Sequence, residues 1–295
     1  MPDKRPPRNP SCLSEEDYLS PESIPDTPQT RSASFRPAYA DTDFLLRDEL
    51  RPVRFQLELL KPELLMREQG ITATIVVFGS TRISEPAEAR CRLDQAQVAA
   101  TTNPADADLA RAVQIAERIA AKSHYYEQAR ELGRLITEES ASGTGVSAVV
   151  NTGSGYGIME AANRGAHDAG GKSIGLNIIL PREQYPNAYV TPELCFQFQY
   201  FALRKMHFLL RAIALVVFPG GYGTLDELFE TLTLIQTRKM KPLPVLLFGR
   251  EYWQRIINFE ALVEEGSIDQ EEYELFQYVD TPEQAWNIIN EFYSA

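Results

Sequence analysis

Residues 212–227 read Ala-Ile-Ala-Leu-Val-Val-Phe-Pro-Gly-Gly-Tyr-Gly-Thr-Leu-Asp-Glu. Apolar residues run unbroken to Phe218, glycines stand at 220, 221 and 223, and Thr224 opens an amphipathic stretch. A short apolar run closed by Pro and Gly predicts a strand buried on both faces, as in a parallel sheet. Glycines at its carboxyl end let backbone N–H groups turn inward, and a helix start adds partial positive charge. The segment is therefore built to hold an anion. Glu227 sets a carboxylate one turn into that helix, beside whatever the loop holds. Thr224-Leu-Asp-Glu227 also fits a capping box, in which the Thr side chain caps the helix and the Glu reaches back. The two readings compete for Glu227, and both stand at this point.

Outward from this segment, strand and helix patterns alternate. Thr74–Phe78 ends in Gly79-Ser80-Thr81-Arg82, and the run 148–152 leads into Gly153-Ser-Gly-Tyr-Gly157 and a helix over 158–168. Further strands are expected at 172–176, 195–199, 245–248 and near 276. Helices are expected over 86–100, 105–139, 202–212, 224–238, 251–264 and at the C-terminus. Apolar strands alternating with helices imply a doubly wound, Rossmann-like, mostly parallel sheet with helices on both faces. Ligands of such sheets sit at the carboxyl ends of strands where the strand order reverses, so the three glycine loops should line one crevice. Three segments result: a Pro-rich tail over 1–41, expected to be disordered, a helical extension over 42–69 and the main domain over 70–295. Pro52 and Pro62 predict two or three short helices in the extension.

Composition narrows the partners. With 29 Lys and Arg against 41 Asp and Glu, the formal net charge is −12. Electrostatic binding to nucleic acid or to an anionic membrane is not expected. No apolar stretch approaches the roughly 20 residues needed to span a bilayer. Cys12, Cys91 and Cys195 are odd in number and lack CxxC spacing, which predicts reduced thiols and a cytoplasmic location. His124, His167 and His207 lack metal-ligand spacing, and no metal is expected. Gly171-Lys-Ser-Ile-Gly175 has the letters of GxSxG, but the segment enters a strand instead of leaving one, so a nucleophilic serine is not expected. Gly153-x-Gly155-x-Gly157 is one residue short of a dinucleotide fingerprint, and the next strand ends in Asn177 with no acid for a ribose diol. Gly170-Gly-Lys-Ser173 resembles the end of a Walker A motif, but Ala166 stands where its first glycine belongs. Arg204 and Lys205 form a basic pair on an otherwise apolar helix, which by itself reads as a solvated flank with snorkelling stems.

Pro219-Gly-Gly-Tyr-Gly-Thr-Leu-Asp-Glu227, with Arg204-Lys205 fifteen residues before it, resembles the LOG family of cytokinin riboside 5′-monophosphate phosphoribohydrolases and nucleoside-monophosphate nucleosidases, long labelled possible lysine decarboxylases. Gly79-Ser80 and the stretch from Thr152 to Ala166 extend the resemblance, which runs from about Ile71 to Tyr293. It implies hydrolysis of the N-glycosidic bond of a nucleoside 5′-monophosphate, AMP or a cytokinin nucleotide, to free base and ribose 5-phosphate, without a cofactor. It further implies that Gly220, Gly221, Tyr222, Gly223 and Thr224 hold the phosphate and that Arg204 and Glu227 carry catalysis. Gly79, Ser80, Gly155, Met159, Glu160, Glu183 and Lys205 would contact substrate, and the enzyme would be a homodimer or larger. Ser154 and Tyr156 depart from the glycine and proline common in the second loop of related sequences. The tail, the 44–66 helices and the 86–121 insertion exceed the compact plant-type members. A non-catalytic nucleotide-sensing module is the alternative. A pyridoxal-dependent decarboxylase is disfavoured because Lys205 is the only lysine near the motif and reads better as a substrate contact.

Overall fold

The computed structural model describes residues 24–143, 145–181 and 185–294. The chain divides into two units, Met1–Gln56 and Leu57–Ala295.

The first unit contains α1 (Pro28–Arg31), α2 (Thr42–Leu45) and single 3-10 turns. Side chains cap both helices: the Thr27 hydroxyl accepts from the Thr30 N–H, and the Asp41 carboxylate accepts from the Phe44 N–H. Residues 1–23 of the expected tail lie outside the described residues. A long helix, α3 (Arg51–Glu68), crosses the division between the units. It contains Pro62 in its interior, so the expected interruption there does not occur.

The second unit continues with β1 (Thr74–Phe78), α4 (Pro86–Thr102), α5 (Ala107–Ala121), α6 (His124–Ser142), β2 (Val149–Thr152), α7 (Ile158–Asp168), β3 (Ser173–Ile178) and β4 (Cys195–Phe198). Then come α8 (Phe201–Leu209), β5 (Ala212–Val217), α9 (Tyr222–Gln236), β6 (Val245–Phe248), α10 (Arg250–Ile256), α11 (Phe259–Glu264), α12 (Gln270–Tyr273), β7 (Gln277–Val279) and α13 (Pro282–Ser294). The seven strands form one sheet in the order β4-β3-β2-β1-β5-β6-β7, and every pairing is parallel. The expected doubly wound sheet is present. One expected helix, 105–139, is two: the chain turns at Lys122 and Ser123, where the Ser123 hydroxyl donates to the Ala120 carbonyl at 2.7 Å.

The unbroken apolar runs are explained by what covers them. Along β1, Ile75 and Val77 pack with Val150, Val216, Leu132 and Ile158 on one face. Val76 and Phe78 pack with Leu176, Leu215, Phe208 and Trp253 on the other. Each such side chain, fully removed from water, contributes about 1.5–3 kcal/mol, so both layers of helices are held by the same strands. Trp253 is anchored further because its Nε1–H donates to the carbonyls of Val217 (3.2 Å) and Phe248 (3.0 Å). No helix among the described residues is long and apolar enough to cross a membrane.

Strand order reverses at β1. From there β2, β3 and β4 run one way and β5, β6 and β7 the other. The carboxyl ends of β1 and β5 therefore flank the crevice where an open α/β sheet binds its ligand.

Candidate active site

The loops after β1, β2 and β5 are joined by main-chain hydrogen bonds. The Phe218 N–H donates to the Phe78 carbonyl (2.8 Å), and the Ser80 N–H donates to the Pro219 carbonyl (2.9 Å). The Ile158 N–H in turn donates to the Ser80 carbonyl (3.2 Å). Gly157 makes that last junction: its φ is +67°, a left-handed conformation that glycine adopts without strain. The loops after β1 and β5, with Met159 of α7, frame a cleft of about 690 Å³; the expected third glycine loop, 153–157, supports this frame but does not line the cleft.

Helix α9 opens into this cleft. It begins at Tyr222, two residues before the expected start, with Gly221 as an N-cap that offers no side-chain hydrogen bond. Thr224 is thus the third helical residue and Glu227 lies in the second turn, so the capping box does not form. The space a side chain would fill at Gly221 and Gly223 is open. A helix start without a side-chain cap presents free N–H groups and about half a positive charge, worth up to ~2 kcal/mol to an anion in partly buried geometry. Tyr252, on α10, steadies the loop by donating its hydroxyl hydrogen to the Gly220 carbonyl at 2.7 Å.

Glu227 lines the cleft but is only 6% exposed. Burial pushes its carboxyl up to about 7, against the pull of Lys205 and Arg204. Arg204 lines the same cleft from α8. Its Nε–H donates to the Leu176 carbonyl at 2.7 Å, and its guanidinium stacks over Phe208 at 5.0 Å. Burial lowers the Arg204 value while Glu227 raises it. Guanidinium stays charged in proteins regardless, so the cleft holds a fixed cation beside an acid poised near neutrality. Helix α8 is itself positioned by Glu58 of α3, whose carboxylate accepts from the N–H groups of Gln199 (2.8 Å) and Tyr200 (3.2 Å) just before the first turn.

Gly79, Ser80, Met159, Gly220, Gly221, Tyr222, Gly223 and Thr224 also line the cleft, with Arg204 and Glu227. Other residues named from the sequence lie elsewhere. Lys205 is held by Asp226 (2.9 Å) and Glu230 (3.1 Å) on α9. Burial alone would lower its ammonium, but these hydrogen bonds outweigh it and raise it. Glu160 accepts from the Tyr126 hydroxyl at 3.0 Å. The Gly155 carbonyl accepts from Asn187 Nδ2 at 3.0 Å, and the same amide group donates to Ser154 O and Asn163 Oδ1. This web holds Ser154 at φ +57°, so the departure from glycine there leaves an L-residue in the left-handed region. Glu183 lies outside the described residues.

Sequence reasoning missed Arg82, Arg118, Lys122 and Tyr252, which also line the cleft. Arg82 closes the quoted Gly79-Ser80-Thr81 turn and was within reach of that reasoning. Arg118 and Lys122 carry no local signal, since an i, i+4 basic pair on a helix is an ordinary solvated face.

Residues 159–289 match a family described as possible lysine decarboxylase. A probable cytokinin riboside 5′-monophosphate phosphoribohydrolase of Oryza sativa subsp. japonica is 30% identical over 50% of this chain and 57% of its own length. A cytokinin riboside 5′-monophosphate phosphoribohydrolase of Arabidopsis thaliana is 30% identical over 50% of this chain and 66% of its own. Over the matched part the chain is similar to the LOG family. It spans less than two thirds of the length of these LOG relatives. Among solved structures, a molybdenum cofactor carrier protein of Chlamydomonas reinhardtii is similar with a TM-score of 0.44 and 20% identity over 76% of this chain and 98% of that one. A molybdenum cofactor binding protein of Rippkaea orientalis has a TM-score of 0.41 and 22% identity over 57% of this chain and 88% of that one.

Proposed function

We propose that the cleft hydrolyses the N-glycosidic bond of a nucleoside 5′-monophosphate, AMP or a cytokinin riboside monophosphate, giving the free base and ribose 5-phosphate. The observation that carries this reading is Glu227: a buried carboxyl, raised to about 7, in the second turn of a helix whose uncapped start opens into the same cleft.

The phosphate sits on the N–H groups at the start of α9, which sets the ribose C1′ within reach of Glu227. As the bond between C1′ and the base nitrogen breaks, the electron pair leaves with the base and C1′ gains oxocarbenium character. The Glu227 carboxylate stabilises that charge and takes a proton from the water whose oxygen bonds to C1′. Arg204 stabilises the negative charge that develops on the departing base or pairs with the phosphate, and the base nitrogen takes up the proton that Glu227 accepted, through solvent, which restores the carboxylate. A base whose value lies near the working pH is half-deprotonated there and strong enough to accept a proton, which is the balance general-base catalysis needs. Lys205 does not serve a Schiff-base decarboxylase, because its ammonium is occupied by Asp226 and Glu230.

The same reading includes a homo-oligomer and a cytoplasmic location. Met206 and Leu210 are about half exposed at the end of α8, which supports an apolar contact between copies. The unpaired thiols of Cys91 and Cys195 support a reducing compartment.

The test is product analysis across a panel of nucleoside 5′-monophosphates, cytokinin nucleotides included. Release of free base with ribose 5-phosphate is expected for at least one. Tight nucleotide binding with no base released from any of them would instead establish a sensing module.

A further inference from the structure

Arg82, Arg118, Lys122 and Arg204 all line one cleft in a chain whose net charge is −12. Acids outnumber bases overall, yet among the described residues Arg82, Arg118 and Lys122 have no carboxylate partner. Arg82 and Arg118 are exposed and Lys122 is half-buried, so an anion arriving between them gains charge-assisted hydrogen bonds without displacing a carboxylate from them. Two of the four are Arg118 of α5 and its C-cap Lys122, both outside the segment matching the family.

The side chains involved are Ile115, Arg118 and Ile119 of α5 and Lys122 at its C-cap, which keeps αR backbone. Positions i, i+3, i+4 and i+7 share one helix face, so this face forms a wall of the cleft. The wall reaches the phosphate cradle through a short relay. Lys122 Nζ stands 5.9 Å from the Tyr252 ring centroid, and the Tyr252 hydroxyl holds the Gly220 carbonyl. The Lys122 ammonium is lowered by burial and by the neighbouring positive charges of Arg118 and Arg255. A ligand phosphate would relieve both effects.

We infer that Arg118 and Lys122 form the second half of the phosphate site, a cationic clamp facing the α9 cradle that makes the 5′-phosphate a requirement for binding. This rests on the nucleotide reading of the cleft. The cradle supplies N–H groups from one side, and the clamp supplies charge-assisted hydrogen bonds from the other. An unphosphorylated nucleoside leaves both halves unpaired and is rejected. Neither residue touches the glycosidic bond, so both set recognition and leave the chemical step to Arg204 and Glu227.

The experiment measures binding of ribose 5-phosphate to the full chain, with kcat and KM on a nucleoside monophosphate alongside. The variants are Arg118→Gln, Lys122→Gln, the charge-keeping Lys122→Arg, and Arg111→Gln, an exposed cation on α5 outside the cleft. Arg118→Gln and Lys122→Gln should each weaken ribose 5-phosphate binding about tenfold and flatten its salt dependence, with KM raised to match and kcat unchanged. Lys122→Arg should recover most of the loss, and Arg111→Gln should behave as the parent. Parent-like affinity in both Gln variants overturns the clamp, as does failure of the parent chain to bind ribose 5-phosphate. If binding depends on the clamp while no monophosphate yields free base, the clamp stands and the hydrolase reading falls. If base is released with KM unchanged in both Gln variants, the outcome is the reverse.

Discussion

Replacing Glu227 with Gln should stabilise the protein at alkaline pH while abolishing its chemistry. The carboxyl rises from an ordinary 4.5 to about 7 in the fold, with burial as the largest cause. Between those values the folded chain retains a proton that the unfolded chain has released, so stability falls as pH rises. At about 1.4 kcal/mol per pH unit, the cost of holding Glu227 charged above pH 7 is about 3 kcal/mol. Glutamine fills the same space and does not ionise. The variant should therefore exceed the parent by about 3 kcal/mol at pH 8, with the gap narrowing to under about 0.5 kcal/mol at pH 4.5. At roughly 2–4 °C per kcal/mol for a unit of this size, the pH 8 difference is roughly 6–12 °C in Tm, readable by scanning fluorimetry at the two pH values. On the same samples, kcat should fall by roughly 10²–10⁴-fold, the contribution expected of a general base. The parent's kcat/KM should rise through pH about 7 as the base deprotonates, then level. A variant that is less stable at pH 8, or a gap that does not change with pH, would refute the account of Glu227 as an acid strained by burial.

Two further substitutions probe what surrounds it. In Gly153→Ala the new methyl would stand 2.5 Å from Arg204 Nη2 and 3.0 Å from Met159 Sδ, so the guanidinium must move. A loss of at least tenfold in kcat/KM with an intact circular dichroism spectrum is expected, and unchanged kinetics would mean Arg204 does not act from where it stands. Tyr252→Phe removes the hydrogen bond to the Gly220 carbonyl, worth about 1 kcal/mol, and loosens the cradle. The KM should rise several-fold with kcat retained, whereas a fall in kcat alone would place Tyr252 in the chemical step.

The parallel sheet was readable because its strands are buried on both faces. Val245–Phe248 stands between Pro244 and Gly249, and no helix fits so short an apolar run. Helix α7 was readable to its ends, since Gly157 and the 170–171 glycines bracket a strongly amphipathic stretch. Misreadings arose where long-range contacts outrank local preference. Thr224-Leu-Asp-Glu227 has the letters of a capping box, but tethering of Gly220 by Tyr252 and of Pro219 by Ser80 accompanies a helix start two residues earlier. The turn at Lys122 and Ser123 lies among good helix formers, so nothing nearby announces it. That turn is also what ends α5 beside Tyr252, which is why Arg118 and Lys122 could not be assigned to a site from spacing alone.

The hydrogen bonds through Ser80 have a consequence for how such a site can diverge. Ser80 bonds both the β5 loop and the start of α7, so the cradle, its acid and the second glycine loop share one main-chain frame. A change in any one of them is felt by all three. Among the described residues no main-chain hydrogen bond ties α5 into that frame, and its C-terminal end meets Tyr252 through the Lys122 side chain. Selection can therefore rewrite the α5 face, and with it the choice of ligand, while the bond-breaking half of the protein stays fixed.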